Sequence, residues 1–227
     1  YSSVHKVLAE FSSTESGERH YFVCSAFAVG SFHVATAGRC VYNHDPNSDG
    51  STSDASWASR VWTWAAHTNL VEPMDKADFP YGVSKGTYFQ TYSGWRDLQN
   101  LDLDFALISL DRRQGDRTGW MGWRAPEDPI ALNYSGYPVE QPYVPALSFG
   151  QYAGFDPNNV TSLTENRITL DAFTYGGHSG GPAWSYIDGS RTVHGVLSTS
   201  DRQGVSGVKR LDINTRENIA RILDEDE

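Results

Sequence analysis

No stretch of this chain is apolar for long enough to cross a membrane as a helix, which excludes a helical membrane-spanning protein. Basic residues are scarce: 18 Lys and Arg stand against 28 Asp and Glu, a formal net charge of −10. Nucleic acid and anionic membrane both need a basic surface, so neither fits as a partner. Only two cysteines occur, so one intrachain disulfide at most is available. Internal repeats and long linkers are missing too, and no signal peptide is visible. The expectation is a processed, secreted protein.

What is present is a β-forming composition. At 227 residues the chain can bury a substantial core as one large domain or two packed subdomains. Valine, tyrosine, tryptophan, phenylalanine and threonine are abundant, and short apolar runs alternate with clusters of Gly, Asn, Asp and Ser. That pattern predicts many short strands, among them 21–29, 33–37, 105–110, 183–186 and 192–197. Near the end, Asn214 with Glu217 three residues on reads as a capping box. A short helix should follow, with Ile219, Ile222 and Leu223 on one face docking on the second half of the molecule, and with 224–227 as a solvated acidic tail.

The segment Gly176-Gly177-His178-Ser179-Gly180-Gly181-Pro182 carries the most chemistry. Its glycines let the backbone turn sharply and free the N–H groups of Gly177 and Ser179 to face a developing oxyanion. A serine hydroxyl is a weak nucleophile, so acyl transfer there also needs a base and a group to orient the base. A glycine-rich turn containing serine is usually only a turn, and the reading needs support from elsewhere in the chain.

Two upstream segments supply it. Residues 32–42, Phe-His-Val-Ala-Thr-Ala-Gly-Arg-Cys-Val-Tyr, read as a strand running into a small-residue turn closed by a cysteine. Residues 102–110, Asp-Leu-Asp-Phe-Ala-Leu-Ile-Ser-Leu, place a carboxylate just before an apolar strand. With these three segments in this order, the chain resembles the chymotrypsin-fold serine peptidases. Val41-Tyr42-Asn43, Ser135-Gly136-Tyr137-Pro138 and the Gly-Gly before His178-Ser179 are most similar to the extracellular V8-like, glutamyl-endopeptidase branch.

The resemblance implies an all-β fold of two six-stranded antiparallel β-barrels packed side by side, spanning 1–115 and 116–227, with a short C-terminal helix. It implies Ser179 as nucleophile, Asp104 as orienting aspartate, Gly177 and Ser179 as oxyanion hole, and a Cys24–Cys40 disulfide beside the catalytic turn. Phe173 and Thr174 would line one side of the specificity pocket and Leu197, Ser198, Thr199 and Ser200 the other. Glutamyl endopeptidases have a histidine at the position of Leu197 to pair with the substrate carboxylate. Leucine cannot do so, and an apolar pocket partly filled by Phe173 is expected.

Arg39 falls where the family has its histidine. A guanidinium stays protonated at any working pH and cannot accept the serine proton, so Arg39 is expected to pair with Asp104 instead. Loss of the histidine in a comparable triad costs about a million-fold in turnover. No other histidine is a good substitute. His33 lies too far back along an extended segment, His44 is five residues on, and His178 should point into the protein. His5, His20, His67 and His194 have no motif around them and read as structural.

Asp45, Asn47 and Asp49 have the spacing that opens a calcium loop, but position twelve is Ser56 where a closing Glu belongs. A solvated turn is favoured there, with weak calcium binding as the alternative, and no cofactor is expected. Asn133 and Asn159 begin glycosylation sequons. The favoured reading is a secreted, monomeric pseudopeptidase that binds a protein or peptide in the inherited cleft. The alternatives are an active endopeptidase whose histidine has been replaced by arginine, and a non-proteolytic serine hydrolase.

Overall fold

The β-forming runs become fifteen short strands among the described residues of a computed structural model, which are 1–12, 17–46, 50, 52, 54–67, 79–123, 128–139, 151–201 and 203–225. The first eight strands are β1 (Val4–Ser12), β2 (Arg19–Ala28), β3 (His33–Thr36), β4 (Tyr42–Asn43), β5 (Ser56–Trp57), β6 (Arg60–Ala65), β7 (Ser84–Thr91) and β8 (Ala106–Leu110). Six of them close an antiparallel barrel in the order β1-β2-β3-β8-β7-β6, while β4 and β5 pair separately. Val7, Phe11, Phe27, Val34 and Ile108 are fully buried in its core. β1 is buried on both faces, because the second half of the chain covers it from outside; there the Tyr137 hydroxyl donates to the Val4 carbonyl at 3.2 Å.

The remaining strands are β9 (Asn133–Gly136), β10 (Tyr152–Phe155), β11 (Val160–Leu163), β12 (Arg167–Asp171), β13 (Pro182–Ile187), β14 (Ser190–Ser200) and β15 (Val205–Arg210). They form one seven-stranded sheet in the order β10-β9-β13-β14-β15-β12-β11. Where a second six-stranded barrel is expected, the sheet is a half-barrel of seven strands consistent with the chymotrypsin fold, with β10 and β11 at its edges among the described residues. Most β10 side chains face solvent, whereas Val160 and Leu163 of β11 pack partly against the sheet's core. Register shifts at Ala183/Trp184 and Leu197/Thr199 bend the sheet, which curls around Leu132, Ile168, Leu170, Leu197 and Val208 as a half-barrel.

Three α-helices occur among the described residues, α1 (Ser93–Leu98), α2 (Gln114–Thr118) and α3 (Ile213–Glu225). None is long and apolar enough to cross a membrane. α3 starts earlier than its capping box predicts. Asp212, not Asn214, caps it by accepting from the Thr215 amide at 2.8 Å, and its carboxylate also pairs with the fully buried Lys209. A carboxylate at a helix start satisfies a free N–H and suits the helix dipole, so it wins over the amide two residues on. Ile219 and Ile222 are buried as expected, but contacts of α3 run to the first barrel as well. Leu223 lies against Gly30, and the Tyr92 hydroxyl donates to Thr215 Oγ1 at 3.1 Å.

Cys24 in β2 and Cys40 are joined in a disulfide, with Cα atoms 6.1 Å apart. The sulfurs are buried, and the bridge spans 16 residues. A loop of that size restricts the unfolded chain by about 3 kcal/mol. A Cys24→Ala/Cys40→Ala double variant is therefore expected to unfold at lower urea concentration, by about that free energy. An unchanged midpoint would show that the bridge adds nothing beyond the packing around it.

Candidate active site

The loop between β12 and β13 is held by bonds that use up most of its backbone. Gly177 sits at φ +94° and Gly180 at φ +87°, both in the region that favours glycine. A Cβ on Gly177 would also lie 2.3 Å from the Tyr137 carbonyl oxygen, so glycine is required there twice over. Ser25 ties the loop to the first barrel: its hydroxyl donates to the Gly177 carbonyl at 2.7 Å and accepts from the Tyr137 amide at 2.8 Å. The Ser25 amide donates to the Ser179 carbonyl at 2.7 Å. The amides of His178 and Gly180 are taken by the carbonyls of Tyr175 and Leu197. Among the described residues, the N–H groups of Gly177 and Ser179 and the hydroxyl of half-buried Ser179 have no partner.

Arg39 lies on a 3₁₀ turn, Gly38–Cys40, between β3 and β4. It pairs with Asp104, as its chemistry predicts. Its Nε donates to Asp104 Oδ2 at 3.0 Å, its Nη2 to the same oxygen at 2.7 Å, and its backbone N–H to Oδ1 at 3.0 Å. The Ser198 hydroxyl adds a fourth donor to Oδ2 at 2.7 Å. The guanidinium lies 5.4 Å from the centroid of the Trp95 ring and is 31% exposed, whereas the Asp104 side chain is wholly buried. Four donors and a cation compensate a carboxylate that would otherwise be costly to bury.

Arg39 and Ser179 line one cleft of about 230 Å³. Thr174, Leu197, Ser198, Thr199 and Ser200 border it too, but Phe173 does not. Phe173 is half exposed, with its ring against Gly204. Among the described residues Phe173 is thus not on the lining, which joins the hydroxyl side chains of Thr174, Ser198, Thr199 and Ser200 to Leu197, Tyr175 and His178. The Ser200 hydroxyl donates to the Thr174 carbonyl at 2.7 Å, and Thr174 Oγ1 lies 2.7 Å from the hydroxyl of buried Ser206.

No histidine bonds the Ser179 hydroxyl among the described residues. His178 is buried beside the rings of Tyr134, Tyr152 and Tyr175, and its Nδ1 accepts from the Tyr175 amide at 3.0 Å. Burial lowers its pKa to about 4, only partly opposed by that hydrogen bond, so it is neutral at pH 7. His44 Nε2 lies 2.9 Å from the Trp95 carbonyl oxygen. His33 is buried in β3.

Sequence reading missed Ser25, Trp95 and the bond from Ser198 to Asp104. Ser25 follows Cys24 and carries no motif. Trp95 is one of seven tryptophans, with no motif around it, and it is buried. Of the calcium residues, Asn47 and Asp49 lie outside the described residues, while Asp45 Oδ2 accepts from the Gly50 amide at 3.0 Å. No group of three or more His, Cys, Asp or Glu among the described residues could hold a metal. The Asn159 sequon is inaccessible in the folded chain: its side-chain amide is buried and exchanges two bonds of 2.9 Å with the backbone of Leu132.

The family model that matches residues 4–221 is described as Trypsin. The chain is 28% identical over 198 residues to the glutamyl endopeptidase of Bacillus licheniformis, covering 85% of this chain and 55% of that protein. It is 27% identical over 175 residues to a protein of Bacillus subtilis named extracellular metalloprotease, covering 75% and 49%. The chain therefore spans about half the length of the curated relatives it matches. Among solved structures, a Glu endopeptidase superposes with a TM-score of 0.74 at 18% identity, covering 98% of this chain and 90% of that one. The protease Anisep of Arthrobacter nicotinovorans gives 0.70 at 18% identity, covering 95% and 93%. These likenesses agree on a chymotrypsin-type fold.

Proposed function

The chain belongs to the trypsin family, and from that premise we propose that it is a secreted peptide-binding homologue of the serine peptidases whose turnover is blocked at Arg39. The observation that carries this is the Arg39–Asp104 pair. The aspartate that should orient an imidazole is occupied by a guanidinium that accepts no proton. Ser179 keeps its place beside two free N–H groups, but nothing among the described residues can take its proton. Residues 1–115 and 116–227 act as one peptidase-like unit, monomeric, with the peptide held in the cleft lined by Arg39, Ser179, Thr174 and 197–200. Secretion is supported by the disulfide, by the absence of a membrane-length helix among the described residues, and by the extracellular label of one relative.

A second reading, an active endopeptidase disabled at one position, is favoured by the intact surroundings of Asp104 and Ser179. A fluorophosphonate probe and casein give the direct test. The unmodified chain is expected to leave casein intact and to label no faster than Ser179→Ala. Labelling that Ser179→Ala abolishes would overturn the blocked-turnover reading and require a base outside the described residues.

A further inference from the structure

A peptidase cleft meets an internal peptide bond, whose carbonyl oxygen becomes anionic only in the transition state. Arg39 changes what the same donors are offered to. It is the only charged residue among the ten described residues that line the cleft, in a chain of formal net charge −10. Asp104 lies fully buried behind it and engages Nε and Nη2, which leaves Nη1 without an acceptor among the described residues. Among the described residues, Nη1 and the Ser179 N–H are thus unmet donors on the cleft, and the N–H of Gly177, two positions before Ser179 in the same loop, is a third. His178, the other titratable base on the lining, is held neutral by burial, and no carboxylate lines the cleft among the described residues.

Three donors without acceptors, beside a permanent cation, match an anion with two oxygens better than a neutral carbonyl with one. We propose that the cleft captures the free α-carboxylate of a peptide C-terminus, the end left by a cut already made. This rests on the reading of the cleft as a peptide-binding site and names its ligand. Asp104 offsets the formal charge of Arg39, so the preference comes mainly from charge-assisted hydrogen bonds to the ligand. The pocket beside it carries hydroxyls from Thr174 and Ser200 and no fixed charge among the described residues, which suits a neutral last side chain. The reaction that must supply such a ligand is endoproteolysis by another enzyme, since each cut creates one new carboxylate.

The test is a titration of the 15N-labelled chain with acetyl-Ala-Ala-Pro-X peptides, X being each amino acid in turn, made both as free acids and as C-terminal amides. Acids with neutral X are expected to bind at least roughly tenfold more tightly than their amides and to shift the Gly177 and Ser179 amide protons. Arg39→Gln should erase most of that ratio. Equal binding of acid and amide overturns carboxylate capture while leaving peptide binding in place. Binding of neither overturns both. The acid-to-amide ratio on the unmodified chain stands even if Arg39→Gln does not fold, and a ratio unchanged in a folded Arg39→Gln would remove Arg39 from the site.

Discussion

Arg39→His is expected to produce a chain that cleaves casein and labels at Ser179, with turnover about four to six orders of magnitude above the unmodified chain. The rest of the constellation is already in place. Asp104 Oδ2, which now receives Arg39 Nε at 3.0 Å and Nη2 at 2.7 Å, would receive imidazole Nδ1–H instead. That contact fixes the tautomer that leaves Nε2 free to accept the serine proton. The backbone bond from residue 39 to Oδ1 and the bond from the Ser198 hydroxyl to Oδ2 involve no atom that the substitution removes. Imidazole is smaller than the arginine side chain, so Trp95 and Ser198 need not move to admit it. Adding Ser179→Ala to Arg39→His should return cleavage to background. A silent Arg39→His chain that folds normally would mean that the cleft has diverged at more than position 39.

The second large effect is acid sensitivity. His5, His178 and His194 are all buried, and their pKa values are lowered from 6.5 to about 3, about 4 and about 4. Burial is the leading cause in each case; Arg216 and Arg210 also disfavour charge on His194. The folded state holds these rings neutral, whereas the unfolded chain protonates them below about pH 6.5. Their contribution is thus complete above pH 6.5 and is lost as pH falls toward 4 and then 3. At pH 5 the loss is on the order of 2 kcal/mol for each histidine, a large share of the 5–15 kcal/mol that stabilises ordinary domains.

Urea unfolding at pH 7 and pH 5 should therefore show a marked fall in stability. His5 gives the cleanest attribution, since neither of its ring nitrogens has a partner among the described residues. His5→Leu removes two orphaned polar atoms at similar volume. It is expected to leave stability at pH 7 unchanged or higher and to reduce the pH 7 to pH 5 loss by about a third. If the pH dependence is the same with and without His5, protonation of that ring is not what destabilises the fold in acid.

Features encoded by neighbouring residues were legible in the sequence. The alternation of apolar and turn-forming residues located strands at 33–37 and 105–110 to within a residue of β3 and β8. The Ser179 loop, Asp104 and Arg39 stood out because each sits in a short motif whose residue types serve one chemistry. Their pairing followed too, since a cation placed against a buried carboxylate has few other outcomes. The α3 cap was misplaced by two residues, because the motif at Asn214 and Glu217 says nothing of the buried Lys209 that draws on Asp212.

What the sequence determined by itself was the β-rich class, the order of the chemical groups along the chain and the presence at position 39 of an arginine, which accepts no proton. Tertiary structure alone decided that the second sheet has free edges among the described residues, that Phe173 lies against Gly204 and not on the cleft lining, and that Ser198 and Ser25 brace Asp104 and the serine loop. The physical reason is separation along the chain. Ser198 bonds Asp104 across 94 positions and Ser25 bonds Gly177 across 152, and such contacts are fixed by which surfaces pack together, which no local pattern records.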